Sequence, residues 1–74
     1  MQKWEYAWVW IDTGAGTYGV NGVASNYSEV EGQYSVLNQL GNEGWELVTA
    51  ELARGDNTIS VFLFKRPVDA PYAL

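Results

Sequence analysis

Carboxylates are the only side chains in this chain that could carry acid–base chemistry near neutral pH, because its 74 residues include neither histidine nor cysteine. Glu29 and Glu31 lie at the start of a predicted helix, where they interact favourably with its dipole. Three further acids occupy predicted surface positions: Glu43, Glu46 and Glu51. Asp12 is the least explained acid, and a loop-start or capping role explains it better than catalysis does. We therefore expect no enzymatic activity, no metal site and no cofactor.

Two short motifs match known functional patterns without the surroundings that those functions need. Gly14, Gly16 and Gly19 have the spacing of a dinucleotide-binding loop, but the residues that follow, 20–26, are not helical. Arg54-Gly55-Asp56 spells an adhesion tripeptide, although Gly and Asp are also what a tight turn requires. We interpret both motifs as turns.

Composition excludes several classes of partner. The net charge of −5 and four scattered cations argue against binding to nucleic acid or to anionic membranes. No stretch approaches the roughly 20 apolar residues that a membrane helix needs. The N-terminal residues begin with a strand pattern and lack the features of a signal peptide. We expect a cytoplasmic protein.

The chain divides into strand-like segments and one helix. Residues 3–11, 45–52 and 58–66 alternate in the manner of strands, and they are rich in aromatic and β-branched side chains. Residues 12–27 form a glycine-rich insert, a long loop or weak hairpin in which 17–23 could add an edge strand. The predicted fold is α+β, an antiparallel sheet of three or four strands with one helix packed on one face. Residues 1–67 form the single domain, and 68–74 an extended tail.

The helix and the last hairpin have recognisable boundaries. Ser28 and Glu31 form a capping box, and either Gly41 or Gly44 ends the helix after about 12 residues, with Gly44 favoured as the left-handed residue. A tight turn at Gly55-Asp56 joins the last two strands and pairs Glu46 with Lys65. The same register pairs Val48 with Leu63 and Ala50 with Val61, and it places Leu47 beside Phe64.

Three segments together resemble a known family. They are Lys3-Trp4-Glu5-Tyr6, the run from Leu37 to Val48 that includes Gly44-Trp45-Glu46-Leu47, and the strand end from Phe62 to Pro67. They are similar to the small bacterial, archaeal and phage proteins of the DUF4177 family, a domain of unknown function. The resemblance implies a compact β-α-β-β unit and supplies no activity, cofactor or catalytic residue.

The strands are apolar on both faces, whereas the sequence offers one helix to cover them. On the first strand Trp4, Tyr6, Trp8 and Trp10 alternate with Glu5 and with the apolar residues Ala7, Val9 and Ile11. An uncovered apolar face usually marks contact with another subunit or a ligand. We therefore expect a homo-oligomeric interaction module, a dimer or larger, with these interface residues: Ala7, Val9, Ile11, Val48, Ala50, Val61 and Leu63.

The alternative is a small-ligand binder that uses the aromatic stripe Trp4, Tyr6, Trp8 and Trp10 as a stacking platform near the glycine-rich loop. Either face of the sheet could meet the helix, because both carry apolar side chains. The sequence therefore leaves open which of the two sets is exposed.

Overall fold

A computed structural model describes residues 2–28 and 32–68. Five strands of these residues form one antiparallel sheet in the order β3-β2-β1-β5-β4. The elements are β1 (Trp4–Asp12), β2 (Thr17–Val20), β3 (Val23–Asn26), α1 (Ser35–Asn42), β4 (Glu46–Glu51) and β5 (Ile59–Pro67).

Strand β1 is central, and its alternating side chains determine the two faces of the sheet. It pairs with β5 along its whole length and with β2 along its second half. One face carries Ala7, Val9 and Ile11, which are almost completely buried. These three residues form the core with four others: Val36, Leu40, Phe62 and Phe64. The helix thus supplies two residues of a core that is otherwise built from the sheet.

The glycine-rich insert is a β-hairpin. Strands β2 and β3 pair around Asn21 and Gly22, both of which have positive φ (49° and 89°). Asn-Gly with these angles is the preferred two-residue turn between antiparallel strands, because its twist matches theirs. Asn21 also ties the turn to β1, since its backbone N–H donates to the Trp8 carbonyl (2.9 Å) and its side-chain oxygen accepts from the Trp8 N–H (3.0 Å).

The helix is shorter than the sequence predicts. It begins at Ser35, after an N-cap residue, Tyr34, that makes no side-chain capping hydrogen bond. The predicted capping box includes Glu31, which lies outside the described residues. The C-terminal boundary is confirmed, because Gly44 has a φ of 91°. There the Trp45 N–H donates to the Leu40 carbonyl (3.0 Å) and the Gly44 N–H to that of Gly41 (3.1 Å), the two bonds of a Schellman motif.

The hairpin of β4 and β5 follows the predicted register at one end only. Glu46 pairs with Lys65 and Leu47 with Phe64, as expected. A bulge at Val48 then shifts the ladder, so that Ala50 pairs with Phe62 rather than with Val61. The tight turn is confirmed by a hydrogen bond from the Asn57 N–H to the Arg54 carbonyl (3.1 Å).

The predicted fold class is therefore wrong. The described residues form five strands and one eight-residue helix, a mostly β structure, instead of a three- or four-stranded sheet with one helix packed on one face. The error arises because the insert supplies two strands. At the C-terminal end, the Val68 N–H donates to the Lys3 carbonyl (2.9 Å), and the remainder of the predicted tail, residues 69–74, lies outside the described residues.

Two glycines near the end of α1 give a matched test of this boundary. We expect Gly44→Ala to lower the free energy of unfolding by about 1 kcal/mol, because an L-residue is strained at positive φ. Gly41 lies within the helix, and a Cβ there would meet nothing within 4 Å. Gly41→Ala should therefore raise the stability by about 0.5–1 kcal/mol. Urea unfolding at one fixed protein concentration measures both values, and equal effects would contradict the Schellman assignment.

Candidate functional site

The sheet has a covered face and an open face. We define the open face by the side chains opposite the core: Trp4, Tyr6, Trp8, Trp10, Ile59, Val61, Leu63 and Lys65. Their assignment follows from the register, which pairs Tyr6 with Lys65, Trp8 with Leu63 and Trp10 with Val61, while the intervening residues are buried. The helix residues of the core lie on the other side of the sheet.

Large aromatic rings on the open face contact solvent. The exposed fractions are 40% for Trp4, 58% for Tyr6 and 46% for Trp8. Such rings bury about 150–250 Å² each when they are enclosed, so this column of one strand presents a large apolar area to water. Single exposed apolar residues are ordinary on protein surfaces, but a contiguous patch of them usually marks a contact surface.

The side chains of the open face are larger on β1 than on β5. The β1 column consists of four aromatic residues, whereas the neighbouring β5 column is aliphatic at Ile59, Val61 and Leu63. Trp10 covers Gly19 of β2, where any Cβ would overlap its indole ring. Gly19, which the dinucleotide motif singles out, is thus needed because the ring packs directly on the backbone.

Charged groups border this face. The Lys65 ammonium lies 4.2 Å from the centre of the Trp4 ring and forms a cation–π contact with it. This contact places the positive charge at the margin of the open face. On β4, Glu46 pairs with Lys65 and Glu51 with Val61, so both acids belong to the same face at its outer edge. A shallow depression of about 300 Å³ between β4 and β5 is lined partly by Glu51, Val61 and Leu63.

On the covered face, Arg66 contacts several residues near the end of the helix. Its guanidinium forms an ion pair with Glu5 (3.2 Å), donates to the Glu43 carbonyl (3.0 Å) and stacks over the Trp45 ring at 4.3 Å. These contacts connect β1, β5 and the residues that follow α1. These contacts therefore have a structural role.

The structure separates the predicted interface residues. Ala7, Val9 and Ile11 are buried in the core, so they are not available to a partner in this fold. Val61 and Leu63 lie on the open face beside the aromatic stripe. Val48 is exposed at the bulge. Ala50, on the edge strand β4, pairs with the core residue Phe62 of β5. The proposed ligand platform, Trp4, Tyr6, Trp8 and Trp10, forms one continuous column on the open face.

Asp12 has the loop-start role that the sequence suggests. Its carboxylate accepts hydrogen bonds from the Thr58 hydroxyl (2.7 Å) and from the backbone N–H groups of Gly14 (2.9 Å) and Ala15 (3.2 Å). The Thr58 hydroxyl, followed by the two N–H groups, lowers the pKa of Asp12 below its ordinary value of 3.8. Its lone pairs therefore hold the 13–16 loop in place.

Within residues 2–28 and 32–68, no three acidic side chains converge in a way that could hold a metal ion. In the same part of the chain, none of the helical structure has the length and apolar character needed to cross a membrane.

Comparison with known proteins identifies one family. The model of the family described as "Domain of unknown function (DUF4177)" matches residues 4–67, which confirms the resemblance seen in the sequence and includes the insert. No curated protein and no solved structure matches the chain significantly.

The pKa of Asp12 predicts how stability depends on pH. Because folding lowers this pKa, the ionised carboxylate stabilises the native state above the unfolded value, near 3.8, and this contribution disappears as the pH falls through the lower folded value. We expect Asp12→Asn to be less stable than the parent at pH 7 and to lose less stability on acidification to pH 3.

The matched control is Asp56→Asn, which removes the same charge from the exposed turn between β4 and β5. Thermal unfolding between pH 7 and pH 3 compares the three proteins. If Asp12→Asn and Asp56→Asn have identical profiles, the carboxylate of Asp12 does not anchor the loop.

Proposed function

We propose that this chain, which belongs to the DUF4177 family of domains of unknown function, is a non-enzymatic module that assembles with copies of itself through the open face. The observation that carries this proposal is the exposure of Trp4, Tyr6 and Trp8 in one column, on the side of the sheet opposite the core.

The area of the open face supports an interface of ordinary size. Adding the exposed parts of its aromatic and aliphatic side chains gives roughly 500 Å² of apolar surface per subunit. Interfaces between subunits are about 60% apolar, so this area corresponds to about 800 Å² in total per partner. That is the usual area of a stable, specific interface.

The free energy gained by burying the open face is large enough to support association. Burial of roughly 500 Å² contributes about 12 kcal/mol per subunit before costs, at about 25 cal/mol per Å². A dimer buries this area on both subunits, which contributes about 24 kcal/mol in all, whereas lost translational and rotational freedom opposes association by about 4–15 kcal/mol per dimer, so the net gain stays favourable. A domain of 74 residues has a small core, and association adds to its stability.

The positions of the acids support a role without catalysis. Asp12, the acid least explained by sequence, is occupied by three hydrogen bonds that hold its loop. Glu5 is paired with Arg66, whereas Glu46 and Glu51 lie apart on the edge strand. None of these four acids is paired with another carboxylate across a cleft, the arrangement that glycoside hydrolysis uses.

A second candidate, a small-ligand site, is favoured by the same rings. A planar ligand could stack on Trp8 or Tyr6, whose faces are accessible, with the shallow depression next to Leu63 as its margin. The two candidates differ in occupant, because one requires a second copy of the chain and the other a small aromatic or sugar molecule.

Substitution at the centre of the open face tests self-association. We expect the parent protein to sediment as a dimer or larger species at micromolar concentration. Trp8→Lys should weaken association at least about tenfold, because it removes central apolar area and introduces a charge that must be desolvated. Tyr6→Lys, at the most exposed of the three rings, should act in the same direction with less risk to the fold.

The matched control is Val23→Lys, which places the same charge on β3 at a residue that is 72% exposed and lies outside the open face. Analytical ultracentrifugation gives the association constants, and circular dichroism establishes that each variant is folded. A parent protein that stays monomeric at high micromolar concentration overturns the proposal.

Intrinsic tryptophan fluorescence tests the second candidate. Titration with nucleotides, flavins and oligosaccharides should change the emission of Trp4 and Trp8 if a ligand stacks on them, and Trp8→Lys should abolish the response. An unchanged spectrum across the whole panel would leave the small-ligand site without support.

A further inference from the structure

We infer that the second copy lies face to face on the open face, related by a two-fold axis that runs parallel to the strands between β1 and β5. This inference rests on the proposed function and specifies its geometry. We call this arrangement the strand-parallel dimer. It brings the β1 column of each subunit over the β5 column of its partner.

The sizes of the side chains favour this axis. Trp8 and Trp10 of β1 are large, whereas Leu63 and Val61, their neighbours on β5, are smaller. A two-fold axis along the strands places each large column on the smaller column of the partner, which permits close packing. An axis across the strands would instead stack the aromatic column on itself, with a gap over the aliphatic columns.

The acidic residues of β4 also argue against a two-fold axis across the strands. Glu46 and Glu51 lie on β4, at the edge of the open face. An axis across the strands at the level of Trp8 would superpose β4 on its own copy in reverse, with Glu46 over the partner's Glu51. Like charges brought together in an interface cost several kcal/mol. In the strand-parallel dimer β4 instead lies over β2 of the partner, where Thr17 is on the same side of the sheet as the open face and the Trp10 ring covers Gly19.

Lys65 also fits the strand-parallel dimer. It pairs with Tyr6 across β1 and β5, so the axis between these strands places its ammonium over the partner's Tyr6 ring. Its contact with Trp4 of its own subunit already shows how the cation can lie against an aromatic ring. The only cation of the open face thus keeps an aromatic partner when the face is covered.

Distances between single labelled residues distinguish the two axes. Ile59 lies on β5 at one end of the open face, and Ala24 lies on β3, paired with Gly19. With strands about 4.8 Å apart and faces about 10 Å apart, the strand-parallel dimer separates the two copies of Ile59 by about 11–15 Å and those of Ala24 by about 26 Å. An axis across the strands gives the opposite order, about 29 Å for Ile59 and about 17 Å for Ala24.

The chain contains no cysteine, so Ile59→Cys and Ala24→Cys each introduce a unique thiol. Electron paramagnetic resonance on nitroxide-labelled protein measures the distance between copies in each variant, by dipolar line broadening where the distance is short and by pulsed electron–electron double resonance where it is long, and sedimentation establishes that each remains associated. We expect a short distance for Ile59→Cys and one at least about 8 Å longer for Ala24→Cys. A short bismaleimide should crosslink Ile59→Cys more than Ala24→Cys.

The outcomes separate this inference from the proposed function. A dimer in which Ala24→Cys gives the shorter distance, or in which both distances are long, overturns the strand-parallel axis and leaves self-association intact. A parent protein that is monomeric overturns both. A dimer with the short Ile59 distance that Trp8→Lys dissociates supports both.

Discussion

The two-residue period of β1 is the constraint on which the structure depends. A strand in the middle of a sheet sends successive side chains to opposite faces. In β1 both sets are apolar, with Ala7, Val9 and Ile11 on one face and a column of aromatic rings on the other. One helix of eight residues contributes Val36 and Leu40 to a single face. The other face consequently stays open, and the candidate function follows from that imbalance.

Local signals in the sequence predict several elements well. The strand pattern of β1, the left-handed Gly44 and the pairing of Glu46 with Lys65 depend on neighbouring residues, and the structure confirms them. Its glycine-rich composition predicts a long loop or weak hairpin for the insert, although Asn21-Gly22 is a strong local signal for a two-residue β-turn. That signal, flanked by Tyr18, Val20 and Val23, would have predicted both additional strands.

Two other features could not be predicted because they depend on tertiary packing. The bulge at Val48 changes the face on which Ala50 lies, but Leu47, Val48 and Ala50 are all apolar, so the sequence pattern does not determine which of them faces the core. Which face the helix covers is equally ambiguous in sequence, since each carries apolar residues. The small side chain of Ala7 and the branched ones of Val9 and Ile11 allow close packing beneath Val36 and Leu40, whereas a row of indole rings would hold a short helix away.

The same bulge favours association through the face over association through the edge. An exposed edge strand can pair with another chain if its backbone is regular over several residues. In β4 the bulge at Val48 interrupts the ladder in the middle of a six-residue strand, which increases its twist and spoils the match to a straight partner. Strand β3, at the other edge, has four residues. The open face, in contrast, continues without interruption from Trp4 to Trp10 and across to β5. Because its apolar area is contiguous while both edges are short or irregular, a second copy of the chain would gain more by covering the face than by pairing with an edge.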